Sequence, residues 1–444
     1  MMKKPLSITL CALLLGATAG LAQERVTRTT TTSTRTTTGT VGGSQTSRNP
    51  RPTPDFAPVA VRAVAKPAAV EIDVKKAFKQ ADKQSLLMLK EIEKVKATES
   101  KPDQFSPRTL ENGNLKLVAS RDWTSGFFPG ELWFLYQYTG KQAWLDQAKT
   151  FTALMEQEQL NGKTHDMGFK VYCSVGTGYR ITKDKHYADV IIQSAKTLST
   201  RFNPKTGVIR SWDHSTDKWV NPVIIDNMMN LELLFEATAL TGDSSFYKIA
   251  VSHANTTIKN HFRRDYSSYH VIDYDPNTGE VLKKNTHQGY SHESAWARGQ
   301  AWALYGYTMC YRFTKDPVYL KQAENIAAFI LKHKNMPADL VPYWDFDAPG
   351  IPDEPRDASA AAVIASGLYE LSGYSKNKSY YLQKADQMLY SLSTKYVSPV
   401  GDNKGFILVS STGSKPSNSE VDVPLSYADY YYLEALLRYK NLKR

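Results

Sequence analysis

One phrase recurs through this chain: an aromatic-rich helical stretch, a short polar turn, then a second stretch carrying Tyr or Trp with Ala. It first reads Gly130-Glu-Leu-Trp-Phe-Leu-Tyr-Gln-Tyr-Thr-Gly140, followed by Lys-Gln-Ala-Trp-Leu-Asp-Gln-Ala148. The turn returns at Thr182-Lys183, Thr241-Gly242, Thr314-Lys315 and Ser375-Lys376, at spacings of 43, 59, 73 and 61 residues. Recurrence on this scale marks stacked helical hairpins and argues against a doubly wound parallel sheet. The uneven spacing means that loops of different length are inserted between hairpins, on the face where repeat folds carry their ligands.

Five turns give five helix pairs, and two amphipathic stretches remain. Residues 74–96 place Ala77, Ala81, Leu86, Leu87, Leu89, Ile92 and Val95 at helical spacing, and residues 427–439 form another such segment near the C-terminus. With the last helix inside and the first outside, these form a sixth pair and close a ring. Closure removes the need for capping repeats, and none is visible. The inner helices are apolar nearly all round (Trp133-Phe134-Leu135-Tyr136; Trp302-Ala-Leu-Tyr305), as expected of helices packed on both sides. The expected fold is all-α, an (α/α)6 toroid or six-hairpin barrel. An open solenoid of helix pairs is the alternative.

The N-terminus reads as a secretory signal over residues 1–22, with Lys3-Lys4, an apolar run from Leu6 to Leu15 and small residues before a cut after Ala22. A cut after Ala19 is the alternative. The run is too short for a membrane span, and Cys11 within it lacks the surroundings of a lipidation site. Residues 23–68 are rich in Thr, Pro and Arg and cannot bury a core, so a disordered linker is expected before a catalytic domain at 69–444. The expected location is across the inner membrane, in the periplasm, with no membrane association after cleavage. Residues 1–68 also carry a net charge of +7 out of the chain's +11. The folded part is close to neutral, which removes the argument for a nucleic-acid partner. Cys173 and Cys310 lie in apolar helical surroundings and read as buried thiols, with a disulfide between them as the alternative in an oxidising compartment.

Two acids stand out as chemical candidates. Asp166 lies in His165-Asp166-Met-Gly-Phe169 before one inner helix, and Asp226 opens the next in Val223-Ile-Ile-Asp226-Asn-Met-Met-Asn230. Either could simply cap its helix. Asp226, however, sits in an apolar collar that should raise its pKa and keep it protonated, while Asp166 has polar neighbours. Two carboxyl groups in unlike environments suit acid/base work on a sugar. A third feature is Trp296-Ala-Arg298-Gly-Gln-Ala-Trp302, in which two indoles flank a guanidinium. A fork so placed suits the carboxylate of a ring that stacks, although an arginine in a helix seam is the plain alternative. Trp123, Trp212, Trp219 and Trp344 lie in loop-like stretches where they could line a sugar cleft. No zinc-enzyme helix motif, phosphate-cradling glycine loop or serine-hydrolase elbow occurs, so no metal and no cofactor are expected. The run Ser410–Lys415 is a small polar loop that could bind an anion such as sulfate.

Taken in order, Trp123-Thr-Ser-Gly-Phe-Phe-Pro-Gly-Glu-Leu-Trp133, His165-Asp166-x-Gly-Phe169, Asp226-x-Met-Met-Asn230, Gln288-Gly with Trp296–Trp302, and Ser419-Glu-Val-Asp-Val-Pro-Leu-x-Tyr-Ala-Asp-Tyr-Tyr431 resemble the unsaturated glucuronyl hydrolases of glycoside hydrolase family 88. The resemblance implies the (α/α)6 toroid reached above. It also implies a substrate, an oligosaccharide ending in a 4,5-unsaturated uronate, whose C4=C5 bond is hydrated. On this resemblance Asp226 is the proton donor and Asp166 the second essential acid. Arg298 and Trp302 contact substrate, with Thr286 in the same segment. Gln288, His270, Trp123 and Trp212 line the pocket with Trp296, and Ser411 and Ser414 contact the next sugar or its sulfate. Lys283-Lys284 stands where the family often has a small residue and is left outside the expected site. The related unsaturated rhamnogalacturonyl hydrolases are the nearest alternative. N-acyl sugar epimerases, which need paired His bases, and a non-catalytic glycan-binding protein are alternatives of other classes. The oligomeric state is not readable from the sequence.

Overall fold

Six helical hairpins close into a ring in the computed structural model, which describes residues 70–99 and 101–443. The expected signal segment and linker, with Cys11, lie outside the described residues. The inner wall is built by α2 (Phe127–Thr139), by a helix that opens as a π-helix (Gly168–Gly176) and continues as α4 (Thr177–Thr182), and by α6 (Asn227–Thr241), α8 (Ala297–Thr314), α10 (Ala358–Ser372) and α12 (Ser426–Leu442). Each packs on the next, and α12 packs back on α2. The outer layer is α1 (Val74–Thr98), α3 (Gln142–Ala153), α5 (Lys185–Ser199), α7 (Ser244–His261), α9 (Pro317–Lys332) and α11 (Lys378–Lys395). The first helix therefore sits outside the last, as the ring-closure argument requires. The Tyr439 hydroxyl of α12 ties the two ends together by accepting the Ile72 N–H at 3.3 Å.

The repeated turn has a local physical cause. In three hairpins it reads Thr, then a left-handed residue, then Asp: Lys183, Gly242 and Lys315 adopt φ of 59°, 75° and 57°. The Thr hydroxyl accepts the Asp N–H (3.3, 3.1 and 3.1 Å). The carboxylates of Asp184, Asp243 and Asp316 then cap the outer helices by accepting N–H bonds from His186, Ser245 and Val318. One triplet thus ends one helix and starts the next. Gly140 repeats the left-handed step without the acid, at φ 67°. The fifth turn departs from the expected Ser375-Lys376: α10 already stops at Ser372, and Gly373 is right-handed at φ −71°.

Short strands fill the connections. β1 (Gln104–Glu111) and β2 (Asn114–Ala119) form a hairpin, as do β3 (Phe202–Asn203) and β4 (Val208–Ile209). β5 (Pro222–Ile224), β6 (Val271–Tyr274) and β7 (Val281–Asn285) form an antiparallel sheet in that order, and two of these strands lie in the long α7–α8 connection. Cys173 and Cys310 are buried free thiols, so the alternative of a disulfide is not realised. Burial pushes both thiols up, which makes them unreactive at neutral pH. No helix among the described residues is long and apolar enough to cross a membrane.

Candidate active site

The three-stranded sheet gathers the site at one end. Antiparallel pairing sets Ile224 opposite Val271 and Val271 opposite Asn285. The residues just beyond that end are Asp226 after β5, His270 before β6 and Thr286 after β7. The backbone N–H of Ile225 donates to the His270 carbonyl at 3.0 Å, locking the first two together.

Asp226 begins α6 but does not cap it; its side chain makes no capping hydrogen bond. It is 7% exposed, and its Oδ2 is buried without a hydrogen-bond partner. Loss of solvent pushes its carboxyl up to about 7, opposed by the positive charge of Arg298 and helped by the negative charge of Asp166. The Trp302 indole N–H also favours the ionised form, though it makes no aligned hydrogen bond. Asp226 is therefore a carboxylic acid that still holds a proton near neutrality, the property a general acid needs.

His270 faces it. The Nδ1 of His270 accepts backbone N–H bonds from His287 and Gln288, each at 3.2 Å. That fixes the neutral tautomer with its proton on Nε2. Nε2 lies 3.7 Å from Asp226 Oδ2, and neither atom has a hydrogen-bond partner among the described residues. Burial first, then the charges of His287 and Arg298, holds this imidazole well below its usual range, so it stays neutral. The ring stacks on Trp296 with centroids 4.4 Å apart.

Asp166 is the more open acid, with its side chain 17% exposed. It is not spent on capping either: Oδ2 accepts from the Thr164 hydroxyl at 3.0 Å. His165 binds the Ser211 carbonyl through Nδ1 at 2.7 Å and turns Nε2 toward Asp166 Oδ1 at 3.1 Å. The π-helical opening of the next inner helix is held by Asn230, whose side-chain oxygen accepts the Phe169 N–H at 3.0 Å. Gly168 is required there, because a Cβ would meet Asn230 Cα at 2.7 Å.

Arg298 departs from the sequence-based expectation. Its terminal nitrogens are already taken, by Asp357 Oδ2 at 2.9 Å, the Thr412 carbonyl at 2.5 Å and the Gly413 carbonyl at 2.6 Å. Only Nε is buried without a partner. The guanidinium is thus a fixed charge with two of its five N–H donors left, the Nε–H and the second N–H of the nitrogen that holds Gly413. Its aromatic flanks are Trp296 at 4.5 Å and Tyr427 at 5.3 Å from the ring centroids. Trp302, expected as the second flank, instead packs on Phe169 and Tyr431, with its indole N–H buried and unpartnered.

The other expected residues fall around this centre. Trp123 packs on Phe169 and Tyr427. Gln288 donates to the Gly413 carbonyl at 3.0 Å, and the Thr286 hydroxyl accepts the Gly289 N–H at 2.8 Å. Trp212 packs with Trp219 and His287, its indole N–H buried and unpartnered. The Ser411 hydroxyl is buried and unpartnered, whereas Ser414 bonds to Ser417 at 3.0 Å on the more open part of the loop. Trp344 is structural, donating to Glu354. Sequence reasoning missed Asp357 and Tyr427. Asp357 reads as an ordinary cap and does cap α10, but its second oxygen holds Arg298. Among the described residues no three His, Cys, Asp or Glu side chains are grouped to hold a metal.

The chemistry of the site is a buried acid, a neutral histidine and a fixed cation converging with unpartnered polar atoms, framed by aromatic rings. Such a surface suits a sugar bearing a carboxylate. A family model described as Glycosyl Hydrolase Family 88 matches residues 94–441. An unsaturated glucuronyl hydrolase of Formosa agariphila is 56% identical over 327 residues, covering 73% of this chain and 82% of the relative. An unsaturated chondroitin disaccharide hydrolase of Streptococcus pneumoniae is 34% identical over 346 residues, covering 76% and 87%. Among solved structures, an unsaturated glucuronyl hydrolase specific for heparin is similar at a TM-score of 0.78 and 49% identity, over 83% of this chain and 97% of that one.

Proposed function

The chain belongs to glycosyl hydrolase family 88, and from that membership and the geometry of the site we propose that Asp226 protonates the C4=C5 bond of a 4,5-unsaturated uronate at the non-reducing end of an oligosaccharide. The protein is a glycosidase of the unsaturated glucuronyl hydrolase type, acting on fragments of the kind polysaccharide lyases leave. The observation that carries the assignment of the acid is the burial of Asp226 with its carboxyl raised to about 7.

C4=C5 is part of an enol ether, so a proton added at C4 leaves oxocarbenium character at C5, shared with the ring oxygen. Asp226 gives that proton and becomes a carboxylate. Water adds at C5, and the carboxylate takes the proton that water sheds, which restores the acid. The resulting hemiketal opens to a ketone, and the hemiacetal left at C1 releases the partner saccharide. The neutral His270, with its proton on Nε2 facing Asp226, steadies the carboxylate formed in the first step. Arg298 supplies positive charge for the uronate carboxylate and, together with the second acid Asp166, orients the ring against the Trp123–Phe169–Trp302 wall. Secretion through residues 1–22, with the enzyme working in the periplasm on oligosaccharides taken up from outside, fits this substrate.

The test is direct. The conjugated uronate absorbs in the ultraviolet, and hydration removes the chromophore. Wild type bleaches lyase-generated unsaturated disaccharides; Asp226→Asn, with the fold retained by circular dichroism, loses at least a thousandfold in rate. An Asn variant within tenfold of wild type removes Asp226 from the acid role.

A further inference from the structure

A cavity of about 440 Å³ opens beside the proton-donating centre, lined by Lys218, Trp219, Lys283, Asn285, Thr286, His287 and His292. Its chemistry is one-sided: it holds two lysines and two histidines, and no acidic residue lines it. β7 explains how the lysine arrives there. Alternation along a strand puts Lys283 and Asn285 on the cavity face and Lys284 on the other. Lys284 is accordingly spent on the far side, on the Asn260 carbonyl at 2.9 Å and over the Tyr269 ring. The Lys283-Lys284 pair, left outside the expected site, is thus divided: Lys283 lines the cavity and Lys284 does not.

Neither cavity lysine has a carboxylate partner among the described residues. Lys283 donates once, to the Lys218 carbonyl at 2.7 Å, which leaves two of its three N–H donors. Lys218 lies over the Trp219 ring at 5.9 Å. The acid on the same sheet face, Asp273, is fully buried and accepts the backbone N–H groups of Val220 and Asn221 at 2.9 and 2.7 Å. His287 is held below the ordinary imidazole range by loss of solvent first, then by the charges of Lys218 and His214.

The cavity adjoins the site through His287. His287 lines it and lies 6.4 Å, ring to ring, from His270, whose Nε2 is 3.7 Å from Asp226 Oδ2. Trp219, 5.7 Å from His287, offers an indole to the next ring. Resting on the function proposed above, we infer that this cavity seats the leaving saccharide and selects one bearing an anion, a sulfate ester or a carboxylate, through Lys218 and Lys283.

The experiment compares unsaturated disaccharides that share the terminal uronate and differ only in the leaving sugar: neutral, sulfated at a single position, or carrying a carboxylate. The quantity read is the ratio of kcat/KM for each charged substrate to that for the neutral one. Wild type is expected to favour a charged substrate by at least tenfold, and Lys218→Ala/Lys283→Ala to lower that ratio about tenfold. Lys283→Arg, which restores a cation, should recover most of it. The charged substrate whose ratio collapses identifies the anion. A ratio near one in wild type, or one unchanged in the double variant, overturns the inference, and a merely structural role for the lysines leaves it unchanged. Calorimetric titration of Asp226→Asn with the same disaccharides separates this result from failure of the proposed reaction, because selective binding that depends on the two lysines needs no turnover.

Discussion

The carboxyl of Asp226 makes a prediction about stability that is independent of any substrate. Carrying this group from about 3.9 in the unfolded chain to about 7 in the fold makes its ionised form about 4 kcal/mol less favourable when folded. Between those two pH values the folded chain binds more protons than the unfolded one. Stability from this group is therefore fully present below about pH 4, declines as pH rises through the window, and has been lost above about pH 7. Asp226→Asn keeps the shape and cannot ionise, so it escapes the decline. The variant should lie within about 1 kcal/mol of wild type near pH 4.5 and exceed it at pH 8 by up to about 4 kcal/mol. For a folded body of this size that is about 5 °C in Tm. The assay is thermal unfolding of both proteins across pH 4.5–8, read as a difference. The difference matters because buried His253 and His261, each driven down to about 3 by loss of solvent, work in the opposite direction. In unfolded chains they bind protons below about pH 6.5, and they lower stability in acid equally in both proteins. A Tm difference that does not change with pH, or a variant less stable at pH 8, would show that Asp226 is not a desolvated acid.

The pH–rate profile should carry the same group: activity falls as pH rises through about 7, where Asp226 loses its proton, and Arg298→Met, which removes the charge that favours ionisation, should move that limb upward and raise KM. A limb that stays in place would disconnect the two residues. Asp357→Asn keeps the cap on α10 but removes the counter-charge of Arg298; KM should rise about tenfold, with a loss of about 1–3 kcal/mol in denaturant melts, and an unchanged KM would limit Asp357 to capping. Glu158→Gln leaves the fully buried Lys170 ammonium without the carboxylate 2.6 Å away. It should cost about 3–5 kcal/mol of stability, and a loss below about 1 kcal/mol would mean that water reaches the ion.

What was legible in the sequence was mostly local. The Thr–left-handed residue–Asp turns announce hairpins because one triplet both ends and starts a helix. The apolar collar of Asp226 is likewise written in its neighbours, and the raised carboxyl follows from it. Arg298 is the contrasting case. Its aromatic flanks in sequence suggested a fork held between two tryptophans. In the ring its second flank is Tyr427 from α12, and its terminal nitrogens bind Asp357 and the 412–413 backbone. Those partners are 59 to 129 positions away, and no short-range pattern encodes them. Lys283 and Lys284 are neighbours of one type, separated in role only by the alternation of a strand whose register the sequence did not reveal.

The chain's own order of residues determined the number of hairpins, the closure of the ring, and which acid loses its solvent, because turn chemistry and apolar periodicity act over a few residues. Tertiary structure decided what those elements bring together. The end of one short sheet joins Asp226, His270 and Thr286, and a distant loop fixes the charge of Arg298. The face of a single strand sends one lysine into the cavity and its neighbour away. Electrostatics and hydrogen bonding work across a few ångströms of space, whatever number of residues lies between.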